Sequence, residues 1–191
     1  RTPHDAAPPL VEVVDHNDRP LLAMPLDEVH RQLLPHRSVA VLVYDTEERL
    51  FLQKRSRRKD VYPGRWDVSV GGHVHAGEAR ADAAERLVQA ELGIRADRLR
   101  PITTLPASVE TGSEFLTIYA LPRTAQPFHL DEELVDGGYS YTREELGCLV
   151  REFRELLTPG LVFLWESDLA FVLGECAAHR AGQHQPPALS R

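Results

Sequence analysis

Residues 66–94, "WDVSVGGHVHAGEARADAAERLVQAELGI", constrain the fold more than any other part of this chain. The segment begins as a strand that ends at the paired glycines Gly71 and Gly72, and a short loop leads to Glu78. Apolar residues then recur at helical spacing, at Ala81, Ala84, Val88 and Leu92. Gly93 follows at a position typical of a helix C-cap. A strand that leads through a short loop into an amphipathic helix predicts a layered α/β domain.

Other segments predict further elements of the same class of fold. Before residue 35 we expect two short strands and a short helix, from "LVEVVD", "PLLAMPL" and "LDEVHRQLL". "SVAVLVYD" and "LFLQKRS" predict a β-hairpin, and the nearly all-apolar first strand should lie centrally in the sheet. Later strands are expected from "LRPITTLPASV", "EFLTIYAL" and "GGYSYT".

Two helices are predicted after these strands. A capping box at Thr142 opens "REELGCLVREFRELL", and "SDLAFVLGECAAHR" supplies the last helix. The order of elements predicts an α/β/α arrangement, a mixed β-sheet sandwiched between helices. We expect one domain over residues 10–180, with polar, Pro-rich tails at 1–9 and 181–191.

Charge and composition argue against several classes of partner. The chain carries 22 Lys and Arg against 29 Asp and Glu, a net charge of −7, which disfavours nucleic acid and anionic membranes. No apolar run approaches the roughly 18 residues that a membrane span needs. Cys148 and Cys176 match neither a disulfide framework nor a metal motif, so we expect buried, reduced thiols in a cytoplasmic protein. The expected partner is a small molecule, and a homodimer stays open.

The opening segment resembles the Nudix signature G-x5-E-x7-R-E-U-x-E-E-x-G-U, where U is apolar. The positions that match are Gly72, Glu78, Arg86, Val88, Glu91, Gly93 and Ile94. In a complete signature three acids project from one helix face and hold divalent cations through oxygen ligands. Two of those acids are Leu87 and Ala90 here, which leaves Glu91. Glu78 and Arg86 are expected to form a salt bridge that ties the loop to the helix.

Within this superfamily, "LFLQKRSRRKDVYPGRWDVSVGGH" resembles the type I isopentenyl-diphosphate isomerases, whose signature is similarly depleted. The resemblance implies a metal site at His36, His73 and Glu114, with Glu114 also exchanging protons. His30 is a further candidate ligand, although its spacing to His36 is one residue short. The resemblance also implies a catalytic cysteine where this chain has Gly71. Nudix hydrolases that share these features lack that cysteine.

Three functions therefore stay open. The leading one is a Nudix-type hydrolase of a diphosphate, with Mg²⁺ or Mn²⁺ on Glu91 and the Gly71 carbonyl and with Glu91 and Glu114 as catalytic residues. A basic run would bind the phosphates through Lys54, Arg55, Arg58 and Lys59. The second is a module that binds a diphosphate or a partner without turnover. The third is isomerase-like proton transfer at the His36, His73 and Glu114 site, where the imidazoles favour Zn²⁺ over Mg²⁺.

Overall fold

The computed structural model describes residues 7–59 and 61–172. The chain begins with an antiparallel hairpin of strands β1 (Leu10–Val14) and β2 (Pro20–Pro25), followed by helix α1 (Leu26–Arg31). This N-terminal unit has its own small core, because Val29 of α1 packs between Val11 and Val13 of β1. The predicted strands and helix of this region are confirmed.

The main sheet is mixed and has β3 near its centre. Its strands are β3 (His36–Asp45), β4 (Leu50–Arg55), β5 (Trp66–Asp67), β6 (Val70–His73), β7 (Arg100–Leu105), β8 (Glu114–Thr124) and β9 (Val135–Tyr141). The order is β5-β4-β3-β8-β7, and β6 and β9 pair with β3 and β4. Strand β3 runs parallel to β8 and antiparallel to β6.

Helices cover both faces of this sheet, so the predicted α/β/α arrangement is confirmed. Helix α2 (Arg80–Leu92) buries its apolar side against one face of β3, formed by Val39, Val41 and Val43. Helices α3 (Arg143–Glu152) and α4 (Pro159–Glu166) pack on the other face, against Ala40, Leu42 and Tyr44. The strict alternation along β3 explains why nearly all of its residues are apolar: both faces are buried.

The capping predictions are confirmed, whereas the β3–β4 hairpin is only partly formed. The Thr142 side chain accepts a hydrogen bond from the Glu145 backbone N–H, and the Glu145 side chain accepts one from the Thr142 backbone N–H. Strands β3 and β4 pair at Tyr44 and Leu50 alone, because β6 already occupies the edge of β3 at residues 38–41. Strand β4 pairs along its length with β9 instead.

The last two predicted helices need correction. Helix α3 ends at Glu152, and a 3-10 turn at Arg154–Leu156 follows. The prediction of a last helix from Ser167 is wrong for residues 167–172, and residues 173–180 lie outside the described residues. Helix α4 comes earlier, since Thr158 caps it and Pro159 fits its first turn, where the missing N–H costs nothing.

Several expectations about the ends and the cysteines have different outcomes. Residues 1–6 and the predicted tail 181–191 lie outside the described residues, so the domain limits stay predictions. Cys148 is exposed on α3, contrary to the expected burial, and Cys176 is not described. None of the described helices is long and apolar enough to cross a membrane.

Candidate metal centre

Four potential metal ligands from four separate elements meet at one end of the sheet. They are His30 at the end of α1, His36 at the start of β3, His73 at the end of β6 and Glu114 at the start of β8. Their ligand atoms all lie within 4.8 Å of one another. The register explains the meeting: parallel pairing sets His36 beside Glu114, and β6 brings His73 opposite Ser38.

The spacing within this cluster suits a shared ion. His73 Nε2 lies 3.1 Å from His30 Nε2 and 3.2 Å from Glu114 Oε1. His36 Nε2 lies 3.6 Å from the same Glu114 oxygen. Ligands bound at roughly 2.1 Å to one Zn²⁺ ion stand about 3.0–3.5 Å apart, depending on the coordination geometry.

His36 provides an independent test of whether the residues fit a metal. Its side chain is 1% exposed, and Nδ1 bonds to the Leu34 carbonyl at 2.9 Å. That contact makes Nδ1 the protonated nitrogen, which leaves a lone pair on Nε2. Nε2 is buried and makes no hydrogen bond with any described residue. An orphaned imidazole nitrogen aimed at two other imidazoles and a carboxylate fits a divalent transition-metal ion.

The electrostatics favour the protonation states that metal binding needs. Burial lowers the pKa of His30, and the neighbouring His73 and His36 lower it further, so the neutral form is favoured. Burial alone would raise the pKa of Glu114. The adjacent imidazoles of His36 and His73 outweigh that effect and hold the pKa far below its usual range. The cluster therefore places His30, whose neutral form is favoured, beside Glu114, whose ionised form is favoured.

The Nudix frame residues support the loop that carries His73. Arg86 donates to both carboxylate oxygens of Glu78, at 2.7 and 2.8 Å, so the expected salt bridge is present. Arg86 also donates to the His73 carbonyl at 3.1 Å, and Glu78 accepts from the His75 backbone at 2.9 Å. This ion pair thus fixes the backbone on both sides of residue 74.

The three former acid positions of α2 have different surroundings. Leu87 packs against Gly72, where an added Cβ would lie 2.9 Å from the leucine methyl carbons. Ala90 is exposed. Glu91 is 4% exposed and accepts from Gln53 at 3.0 Å. Burial raises the pKa of Glu91 to about 7, although nearby Lys59 opposes this.

The glycines of this segment have three different roles. Gly93 caps α2 with φ +64°, and a Cβ there would lie 2.8 Å from His129 Cβ. Gly72 leaves room for Leu87, as described above. Gly71 is different, because an added Cβ would meet Val68 at 3.5 Å, which is ordinary contact. The fold therefore accommodates a Cβ at residue 71.

A pocket of about 370 Å³ opens beside the metal centre and contains only one of the four predicted phosphate-binding side chains. Its lining includes Gly71, His73, Glu114 and Arg55. Arg55 forms a 2.9 Å salt bridge with Asp67, and Asp67 also accepts from Thr158 at 2.8 Å.

The other three basic side chains lie elsewhere. Lys54 lies over the Trp66 ring, 5.9 Å from its centroid. Arg58 is exposed, and Lys59 lies near the buried Glu91. The basic run is therefore dispersed over several surfaces.

Comparison with known proteins places the chain in a family. Residues 34–146 match the NUDIX domain model, and the chain belongs to that family. His30 lies before the matched span. Over 91 residues the chain is 43% identical to an uncharacterised Nudix hydrolase of Pseudomonas aeruginosa, covering 48% of this chain and 54% of the relative.

A relative with a different name supports the second part of the resemblance. An isopentenyl-diphosphate Delta-isomerase of Serratia proteamaculans is 35% identical over 85 residues, covering 44% of this chain and 48% of the relative. The chain spans about half the length of these curated relatives. A crystal structure of a Deinococcus radiodurans protein superposes with a TM-score of 0.74 at 25% identity, over 83% of this chain and 98% of that one.

Sequence reasoning found most of this centre and missed its surroundings. His36, His73 and Glu114 came from the isomerase resemblance, and the structure brings His30 to them despite the shorter spacing. No sequence pattern indicated that Asp67 would hold Arg55 or that Gln53 would bind Glu91. Both contacts cross between strands or from helix to strand, so no local spacing encodes them.

Proposed function

We propose that this chain is a divalent-metal-dependent hydrolase of a small organic diphosphate. Its metal would be held by His30, His36, His73 and Glu114 and not by helix α2, which carries the signature. The four-ligand cluster, with its orphaned His36 nitrogen, is the observation that carries this proposal. A bound divalent ion there would neutralise phosphate charge and lower the pKa of a coordinated water.

The contacts of Glu91 favour this four-ligand cluster over helix α2 as the metal site. A lone buried carboxylate that is bonded to Gln53 and flanked by Leu87 and Ala90 offers one ligand side chain. Ions such as Mg²⁺ need several oxygen ligands or a substrate that completes the shell. The strand-end cluster offers four side chains, so the geometry favours it as the metal site.

The residues of the adjoining pocket suit a diphosphate. The Arg55 guanidinium donates from Nη1 to Asp67 and from Nε and Nη2 to the Val61 carbonyl. Asp67 also accepts from Thr158. These contacts hold the guanidinium in place, and its remaining N–H groups can donate to phosphate oxygens. The Gly71–Gly72 backbone passes the pocket without side chains, so a phosphate can approach the sheet closely.

The direct test combines metal analysis with phosphate release. Purified protein would be loaded with Zn²⁺, Mn²⁺ or Mg²⁺ and assayed against a panel of organic diphosphates, with bound metal measured by elemental analysis. We expect about one tightly bound transition-metal ion per chain and metal-dependent release of phosphate. Bound metal without any product would favour the binding module, and activity with Mg²⁺ that needs Glu91 but not His73 would overturn the proposal.

Isomerase-like proton transfer stays the second candidate because of two observations. The metal cluster agrees with the isomerase resemblance, and a Cβ added at residue 71, where the cysteine is absent, would make only ordinary contacts. Isomerisation needs a second proton-transfer group on the opposite face of the substrate. Deuterium exchange into isopentenyl diphosphate by the wild type would support this candidate, and Gly71→Cys should increase the exchange, with Gly71→Ser as the matched control. No exchange by the wild type would remove this candidate.

A further inference from the structure

A second cavity lies beside the metal pocket. It has a volume of about 670 Å³, within the range of sites for small organic ligands. Helix α4, the preceding 3-10 turn and the loop at 106–113 form its walls. Val109, Glu110 and Pro159 line both this cavity and the metal pocket, so the two cavities adjoin.

The floor of this second cavity is apolar. Leu157 and Val162 form its buried part, and the half-buried ring of Phe163 completes it. Val109, at the boundary with the metal pocket, is 93% exposed, an unusual position for a β-branched apolar residue. An apolar ligand group that passed from one pocket into the other would cover this valine.

The charged side chains at the rim disfavour an anionic ligand. Two cations, Arg65 and Arg154, stand against three carboxylates, Glu110, Glu155 and Glu166, which leaves a net charge of −1 (2 − 3). Arg154 is paired with Glu166 at 2.7 Å. Arg65 donates to the Leu157 carbonyl at 3.3 Å and lies over the Tyr62 ring. The phosphates should therefore stay at the Arg55 side.

We propose that this cavity binds the organic group of the substrate, and that the group is uncharged and apolar. The substrate class would then be alkyl or similar hydrocarbon diphosphates, because the side chains of Leu157, Val162 and Phe163 offer the organic group no hydrogen-bonding partner. This inference rests on the proposed function, which places the diphosphate at the metal centre beside this cavity.

The test measures affinity by calorimetry with methylenebisphosphonate and its methyl, butyl and hexyl monoesters. The titrations use Zn²⁺-loaded and metal-free protein. Each added methylene that becomes buried should tighten binding by about threefold to fourfold. Phe163→Ala should reduce the gain from butyl to hexyl by at least about threefold. Phe153→Ala, which removes a half-exposed ring outside the cavity, is the matched control and should keep the gain.

Val109→Asn provides a second variant that cannot disturb the core, because the side chain is exposed. It should weaken the butyl and hexyl esters and leave methylenebisphosphonate unchanged. Equal affinity for all esters, or tighter binding of an amine-terminated hexyl ester, would overturn the inference even if methylenebisphosphonate binds with metal. A chain-length effect without metal-dependent binding of methylenebisphosphonate would support the cavity and contradict the proposed function. No binding of any compound would contradict both.

Discussion

The acid face of α2 and the strand-end cluster are two places where this fold can hold a metal, and they differ in how they are built. The helix face arises from local periodicity, and its three positions are a half-buried Leu87, an exposed Ala90 and a buried Glu91. The cluster draws one ligand from each of four elements. The comparison teaches that strand register can bring four potential metal ligands together beside a helix that carries only one of the three signature acids.

Arg86 connects these two regions. Its guanidinium binds Glu78 and the carbonyl of His73, so a frame residue of the signature holds the backbone of a candidate ligand. Removing a contact that holds a metal ligand in place commonly weakens metal affinity by roughly 10- to 100-fold. The signature residues Glu78 and Arg86 therefore still support the loop that carries His73, although two of the signature acids are absent.

The largest effect on metal binding is expected from removing a ligand from the cluster. His73→Ala deletes one of four ligands, and we expect at least about a 100-fold loss of Zn²⁺ affinity. Metal titration with a competing chelator measures the effect. His75→Ala is the control, because His75 lies two residues on, outside the cluster. Equal loss in both variants would point to a general disturbance of the loop.

Replacing the surviving acid tests the helix face. The pKa of Glu91 is raised by burial from an ordinary 4.5 to about 7. Between those values the folded chain keeps a proton that the unfolded chain has lost, so this group lowers stability as pH rises. Glu91→Gln should match wild type near pH 4 and exceed it by about 3 kcal/mol at pH 8. Urea unfolding at both pH values measures this difference.

The control for this prediction is Glu85→Gln, which changes an exposed glutamate on the same helix and should follow wild type at both pH values. Metal provides the discriminating condition. If Mn²⁺ stabilised wild type at pH 8 but not Glu91→Gln, Glu91 would be a metal ligand and the comparison would reverse.

Gly93 tests whether the frame is structural. Gly93→Ala places a Cβ at φ +64° and 2.8 Å from His129 Cβ, so we expect a loss of about 2–3 kcal/mol in the free energy of unfolding. Gly77→Ala, at φ +76° with nothing within 4 Å, isolates the backbone strain and should cost about 1 kcal/mol. Urea unfolding of both variants separates contact from strain. Equal losses in the two variants would show that His129 moves away from the added Cβ.

Restoring the absent acids should have the smallest effect on activity. Ala90→Glu adds an exposed carboxylate and should change stability by less than about 0.5 kcal/mol. Leu87→Glu removes packing against Gly72 and should cost about 1–2 kcal/mol. With the metal at the histidines, the double variant should change phosphate release by less than about threefold. A large gain in phosphate release would show that the reaction depends on helix α2 and not on the histidines.

The sequence predicted the elements that depend on local signals. The periodicity of α2, its Gly93 cap and the Thr142 capping box each arise from neighbouring residues. The structure confirms them except at Ala81, which is exposed, whereas Ala83 is buried. The prediction failed at α4, where Pro159-Gly160 resembles a turn although the proline fits the first helical position. It also overestimated the β3–β4 hairpin, because the competing strand β6 comes later in the chain.

By itself the sequence determined the Nudix frame, the α/β/α class and the absence of two of the three signature acids, since each depends on residue type at fixed spacing. Tertiary structure alone decided that His30 joins His36, His73 and Glu114, that Asp67 holds Arg55, and that an apolar cavity adjoins them. Those features depend on strand register and on packing between distant segments. The distances that matter for ligands are set by the fold, and sequence spacing does not contain them.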